Sequence, residues 1–156
     1  MKVKELMSTN IACIREDTPV GLIAMKMRKD DIGCIPVCSD AGHVKGVVTD
    51  RDLVLRVLAK TVTVGDSGDL EDIDGNMLTA SDIMSKDPVT VSPDQNIHDA
   101  ALLFSAYKIR RLPVTEASRI VGMLSLGDVA AKPVYIDEAG DALSAISIAA
   151  SLPVES

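Results

Sequence analysis

The feature that most constrains this chain is that it is written twice. Lys108–Asp128 reads KIRRLPVTEASRIVGMLSLGD, and Ile32–Asp52 reads IGCIPVCSDAGHVKGVVTDRD. Pro36 recurs as Pro113, 77 positions on, while Gly46 recurs as Gly122 and Asp52 as Asp128, each 76 positions on. The change of step removes one residue from the second hairpin turn. A single copy is too thin to bury its own sheet face, so two copies packed through their sheets about an approximate two-fold axis complete one another.

In chain order, each copy reads helix, strand, helix, strand, strand, helix. Val3–Met7 suggests a short opening helix and Ile11–Arg15 a strand. Thr18-Pro19 is a helix start, hydroxyl at the N-cap and proline at the first turn. Leu22, Ile23 and Met27 then give a stripe ending near Asp30-Asp31. Strands Cys34–Val37 and Val44–Thr49 follow, then a helix from Asp50 to about Ala59 with Leu53, Val54, Val57 and Leu58 inward. Thr79 to Asp82 is a capping box opening Ser81–Met84, and Met84-Ser85 repeats Met7-Ser8. Pro88–Val91 and Asp94–Tyr107, the latter with Ile97, Ala101, Leu102 and Phe104 apolar, match the first strand and helix. Leu112–Val114 and Ile120–Leu124 are strands around the polar turn Glu116–Arg119. Asp137–Leu152 is a final helix with Leu143, Ile146 and Ala150 on one face, and it has no counterpart in the first copy.

Between the copies, Lys60–Asn76 is acidic and glycine-containing, a solvated loop or the remainder of a strand and turn. Its DLEDIDG segment lacks the ligand spacing and final Glu of a calcium loop. The net charge of −7 argues against a phosphate-backbone binder, which needs a basic face, though not against one bound mononucleotide. Aromatic residues are 2% of the chain, so the core must be built from Val, Ile, Leu, Met and Ala. No run approaches the ~18 apolar residues of a membrane span. MKVKELM is not an apolar leader, and the cysteines number three, an odd count. These point to a cytoplasmic protein with reduced thiols.

The repeated stretches invite two readings. Thr49/Asp52 and Ser125/Asp128 are complete as helix caps. The same carboxylates can also accept hydrogen bonds from both hydroxyls of a ribose, beside amides and a dipole end that suit phosphate. Ile35-Pro36 and Leu112-Pro113 make slots whose main-chain groups can read an adenine edge.

The two stretches resemble the signature halves of a CBS domain pair, the cystathionine-β-synthase-type regulatory module, of the stand-alone bacterial or archaeal type. The resemblance covers roughly residues 3–131. It implies an α/β fold: a tandem CBS-domain pair with pseudo-two-fold symmetry, two small sheets packed between the repeats and helices outside. The domains would be residues 1–60 and 79–131 as repeats, 61–78 as connector and 132–156 as a helical extension. Such pairs usually dimerise, and apolar helix faces over Pro19–Asp30 and Gln95–Tyr107 fit a homodimer. The resemblance implies ribose contacts at Asp52 and Asp128, helped by Thr49 and Ser125, and adenine contacts near Ile35, Pro36, Leu112 and Pro113. Cys13-Ile14 and Thr90-Val91 would close the base pockets. Thr90 is the usual type there, and Cys13 departs from it.

Cations are unevenly placed. Arg110 and Arg111 stand where the first copy has Gly33 and Cys34, and Arg51 stands where the second has Gly127. If the copies face each other, these arginines converge on phosphates; otherwise they are surface residues pairing with nearby acids. Cys34 and Cys38 with His43 make at most an incomplete zinc site, and their spacing is not that of a zinc knuckle. His98 falls at an exposed helix position. No nucleophile–base constellation and no P-loop appears. The expectation is a non-catalytic regulator or sensor that binds AMP, ADP or ATP in the cleft between repeats and acts on an unidentified protein, with no role for nucleic acid or membrane. The alternatives are a dimerisation scaffold with an unoccupied cleft and a thiol- or metal-responsive protein using Cys34 and Cys38.

Overall fold

In the first copy the Thr18-Pro19 signal starts helix α1 (Val20–Asp30) one residue later than expected. Thr18 Oγ1 accepts from the Arg15 amide at 3.0 Å instead of capping the helix, and Pro19 takes the N-cap position in extended backbone. Asp31, in the left-handed region at φ 52°, ends the helix. Strands β1 (Cys34–Cys38) and β2 (Val44–Thr49) pair antiparallel. The chain then stays helical from residue 50 to 61: α2 (Asp50–Asp52), a π-helical stretch Leu53–Leu58, and α3 (Ala59–Thr61). This winding corrects the expected inward stripe. Val57 is buried at 7% exposure and Leu53 half-buried, but Val54 at 52% and Leu58 at 55% face out. An i→i+5 winding advances the chain more slowly around the axis, so residues counted at 3.6 per turn drift off the core face. Strands β3 (Val62–Val64) and β4 (Leu70–Asp72) pair antiparallel, giving the connector strand character at both ends. Helix α4 (Ala80–Ile83) follows behind the expected Thr79–Asp82 capping box, and β5 (Ser85–Lys86) pairs with β2.

The structure, a computed structural model, describes residues 1–64, 70–72 and 78–150. Asp66, Asp69 and Asp74 of the acidic connector lie outside the described residues, and so does most of the DLEDIDG segment. Ser151 and Leu152, the expected end of the last helix, lie outside them as well.

The second copy repeats the plan. A short 3-10 turn, Val3–Glu5, opens the chain. Helix α5 (Ile97–Tyr107) starts after Asn96, whose side chain accepts from the His98 amide at 2.9 Å. Lys108 ends it at φ 54°, the counterpart of Asp31. Strands β6 (Arg111–Glu116) and β7 (Arg119–Ser125) form the second hairpin. Its shorter turn puts both Ala117 and Ser118 at positive φ, the twist-matched geometry of two-residue hairpins. Helix α6 (Leu126–Ala130), a 3-10 turn at Pro133–Tyr135 and helix α7 (Ile136–Ala150) complete the chain.

Each expected first strand shrinks to one parallel bridge, Ile14↔Val37 in one copy and Val91↔Val114 in the other. Both main-chain groups of Ile14 and of Val91 serve these bridges; Arg15 N and Ser92 N, which face the other way, are taken locally by Thr18 Oγ1 and Gln95 Oε1, and Pro93, next in line to donate to β6, has no N–H.

The compact units do not coincide with the sequence repeats. One unit is Ala12–Pro88, and in the other Met1–Ile11 joins the chain from Val89 onward. Each unit therefore borrows the opening segment written ahead of the other repeat. Ser85 pairs with Val47 in one unit, and Ser8 pairs with Met123 in the other. Gly46 and Gly122 make this possible. A Cβ at Gly46 would lie 2.6 Å from Met84 Sδ, and one at Gly122 would lie 2.6 Å from Met7 Sδ.

The contiguous unit is built around Ile23, Ile35, Val37, Val48, Val57 and Ile83. The other packs Phe104 with Ile97, Leu112, Val114, Leu124 and Val129, covered by Ala139, Ala142 and Ile146 of α7. Leu102, read as one of the apolar positions of its helix, and Leu143, read on one face with Ile146 and Ala150, are exposed. Alanines carry the α7 contact, and Leu143, about 100° further round the helix than Ala142, falls at the rim. Among the described residues no helix is long and apolar enough to cross a membrane.

Candidate functional site

The Asp128 turn is built from the sequence Leu-Ser-Leu-Gly-Asp, where a strand ends and a helix starts. Ser125 is the N-cap: its Oγ accepts from Asp128 N at 3.0 Å, and Asp128 Oδ2 accepts from Ser125 N at 2.8 Å. Ser125 is buried at 8% exposure while Asp128 stays half-buried, so the cap holds the carboxylate at the surface. Asp128 Oδ1 takes no hydrogen bond among the described residues. The same box is present at Thr49 and Asp52, with bonds of 3.2 and 2.8 Å. There the second oxygen is engaged: Arg56 Nε lies 3.6 Å from Asp52 Oδ1. The two carboxylates share a cap and differ in what is left to offer a ligand, a difference the sequence reading did not anticipate. The signal was present, since Arg56 sits at i+4 from Asp52 in a helical stretch.

Helix α6 is five residues long and offers no sizeable dipole end for phosphate, whereas α2 opens a helical run that continues to Thr61. Cation charge falls to the arginines. Arg110 and Arg111 are exposed and line an open concavity of about 540 Å³ together with Ser125, Leu126 and Gly127. The opposite wall is Ile136, Gly140 and Leu143 of α7, none of which the sequence reading placed near a site. Arg51, in the other unit, is exposed on the first turn of α2.

Leu112 and Ile35 have fully buried side chains. They anchor the turn and offer a ligand main-chain groups alone. Pro113 O accepts from Val91 N at 3.1 Å, and Pro36 O accepts from Ile14 N at 3.1 Å. These bonds lock Thr90-Val91 against Leu112-Pro113, and Cys13-Ile14 against Ile35-Pro36. Thr90 and Cys13 are exposed beside those bridges.

The cysteines carry no disulfide. Cys38 faces Cys13, with its Sγ 3.6 Å from Cys13 Sγ, and Cys34 sits at the other end of β1. Among the described residues no group of three or more His, Cys, Asp or Glu side chains is placed to hold a metal. His98 Nδ1 lies 3.5 Å from Glu138 Oε1 at the surface.

Duplicated hairpin-and-cap units, each completed by pairing from a borrowed segment, define a tandem fold. The CBS domain profile matches residues 3–59 and 80–135, and the chain belongs to the CBS domain family. It is 33% identical over 145 residues to the CBS domain-containing protein YhcV of Bacillus subtilis strain 168, covering 93% of this chain and 94% of that one. Its structure resembles Hypoxic Response Protein I, solved with two coordinated zinc ions, at TM-score 0.71 and 27% identity over 84% of this chain and 98% of that one. It also resembles CBSX2, a CBS-pair protein of Arabidopsis thaliana, solved in complex with AMP, at TM-score 0.67 and 26% identity over 87% and 98% of the two chains.

Proposed function

We propose that this chain is a non-catalytic regulatory module that binds an adenosine nucleotide, AMP, ADP or ATP, at the turn ending in Asp128. The observation that carries the reading is the open Oδ1 of Asp128. The Ser125 amide holds Oδ2, and the remaining oxygen can accept from the ribose cis-diol in charge-assisted hydrogen bonds. Thr90-Val91 and Leu112-Pro113 form the slot for the base. Arg110 and Arg111 supply the charge for phosphate, and their planar guanidiniums suit bidentate contact. The AMP complex of the similar CBSX2 supports the choice of ligand. Asp52, with Thr49, Arg51, Ile35, Pro36, Cys13 and Ile14 around it, forms a weaker second site because a ribose must compete with Arg56. The module acts in the cytoplasm as a homodimer and passes ligand occupancy to a partner protein.

Thermal-shift and calorimetric titration with AMP, ADP, ATP, NAD and S-adenosylmethionine tests this. Saturating adenosine nucleotide should raise the melting temperature and GMP should not. Absence of heat and of any shift with every ligand would leave the chain a dimerisation scaffold.

A further inference from the structure

We propose that Cys13 and Cys38 are a redox pair that closes into a reversible disulfide when the protein meets a peroxide, tying the Cys13 segment to the end of β1. The two residues flank the parallel bridge Ile14↔Val37, so their side chains emerge on the same face. Their sulfurs are 3.6 Å apart, and closing to the ~2.05 Å of a disulfide requires a shift of roughly 1.5 Å. The bridge holds Ile14, so the shift falls to the two side chains and to the chain ahead of Cys13, which belongs to no strand. Cys34 is separated from Cys38 by about 13 Å of strand and cannot compete.

The internal repeat supplies a second argument. Residues 77 positions after Cys13 and Cys38 are Thr90 and Thr115, flanking the equivalent bridge Val91↔Val114. One copy carries a hydroxyl at both positions and the other a thiol at both. Packing alone gives no reason for the two thiols to occur together.

The chemistry is asymmetric in the useful sense. Cys13 is exposed and Cys38 buried. The hydrogen bond from Cys38, with Arg15 and Lys26 nearby, lowers the Cys13 thiol to about 7 against the opposing effect of burial. The same hydrogen bond, with burial, pushes the Cys38 thiol up. Near neutral pH Cys13 is the thiolate and therefore the nucleophile. It attacks one peroxide oxygen; the O–O bond breaks, hydroxide leaves and Cys13 becomes a sulfenic acid. Cys38 sulfur then attacks the sulfenic sulfur, the S–S bond forms, the S–O bond breaks and water leaves with the Cys38 proton. Two thiols are oxidised by two electrons and peroxide is reduced to water. A dithiol reverses the step by exchange.

The full chain treated with stoichiometric hydrogen peroxide, then alkylated and digested, tests this. Wild type and Cys34→Ser should each lose two hydrogens in mass and yield a peptide cross-linked through Cys13 and Cys38. Cys13→Ser should yield none and lose thiol on the order of tenfold more slowly, as an ordinary cysteine would. A cross-link through Cys34, progress of Cys13 to sulfinic acid with no cross-link, or equal thiol loss in Cys13→Ser would each overturn the proposal. The effect on ligand rests on the nucleotide reading, since Cys13 borders the first base slot. Oxidation should change only the minor part of the AMP-induced shift that the first slot contributes in wild type, and nothing in Cys13→Ser. If AMP shifts neither form, the nucleotide reading fails and the cross-link map still decides the disulfide.

Discussion

Replacing Asp128 by alanine should separate a ligand's effect from a cap's. Without ligand, the Ser125 amide loses its acceptor at 2.8 Å, a loss of ~1 kcal/mol for a helix cap. For a chain of 156 residues that lowers the melting temperature by about 2–4 °C. Ligand at about 100 times its dissociation constant should stabilise wild type by ~2.7 kcal/mol, a rise of about 5–10 °C. Hydrogen bonds from the ribose to Asp128 are charge-assisted, and removing them costs ~2.2 kcal/mol, or ~40-fold in affinity. At the same concentration the ligand then stands at ~2.5 times its dissociation constant and contributes ~0.7 kcal/mol, leaving a rise of about 2 °C. Asp128→Asn keeps an acceptor for the Ser125 amide, so it should melt close to wild type without ligand and still lose most of the rise. Asp52→Ala should resemble Asp128→Ala without ligand but retain most of the wild-type rise, because Arg56 already occupies that carboxylate. Scanning fluorimetry on the four proteins, with and without AMP, reads all of this. If both alanine variants keep the full ligand-induced rise, the carboxylates are caps and the ribose argument is refuted.

Exposed Leu22, Met25, Leu102 and Tyr107 on α1 and α5 should give a homodimer, so sedimentation showing a 16.5 kDa monomer at micromolar concentration would count against it. Gly46→Ala should destabilise by about 1–3 kcal/mol, and more than Gly122→Ala, measured by urea unfolding. Its Cβ would meet the Ser85 carbonyl at 2.8 Å, whereas at Gly122 the Ser8 carbonyl is 3.1 Å away; equal losses would contradict the geometry. Lys4 and then Lys2 hold the Asp94 carboxyl down to about 2 from 3.8. A depressed carboxyl contributes stability above its unfolded value and loses it as the pH falls toward about 2. NMR titration should place the Asp94 midpoint near there and move it up in Lys4→Ala, while an unmoved midpoint would exclude the lysine as cause.

Much of this architecture was legible because it was written twice. The hairpins, the caps at Thr49 and Ser125, and the Met-Ser echoes fell where repeat spacing put them, and the box at Thr79 where its own Thr-to-Asp spacing did. Elements that depend on local competition were harder to read. The strands at Ile11–Arg15 and Pro88–Val91 reduce to single bridges at Ile14 and Val91, and in the second copy Pro93 has no amide to extend the ladder. Val54 and Leu58 were misplaced by a π-helical winding that no periodicity count reveals. At the candidate site, the residues around Asp128 were readable from their order. The contact of Arg56 with Asp52 was signalled by its i+4 spacing and went unread, whereas the wall contributed by α7 and the approach of Cys13 to Cys38 were not legible, since each depends on how segments distant in sequence bring side chains together.

The borrowed opening segment has a consequence for how the protein is made. Ala12–Pro88 holds everything one unit needs in a single run, so that unit can close as soon as its last residue clears the ribosome. Met1–Ile11 belongs with the chain from Val89 onward, made later. At about 5–20 residues per second, Val3 waits on the order of ten seconds for the helices and strands that will bury it. A translation arrest after Pro88 would release Ala12–Pro88 with Met1–Ile11 lacking the unit that buries Val3, a product suited to capture by a chaperone and poorly suited to function. Moving residues 1–11 behind α7 would abolish the wait and let each unit fold from contiguous chain.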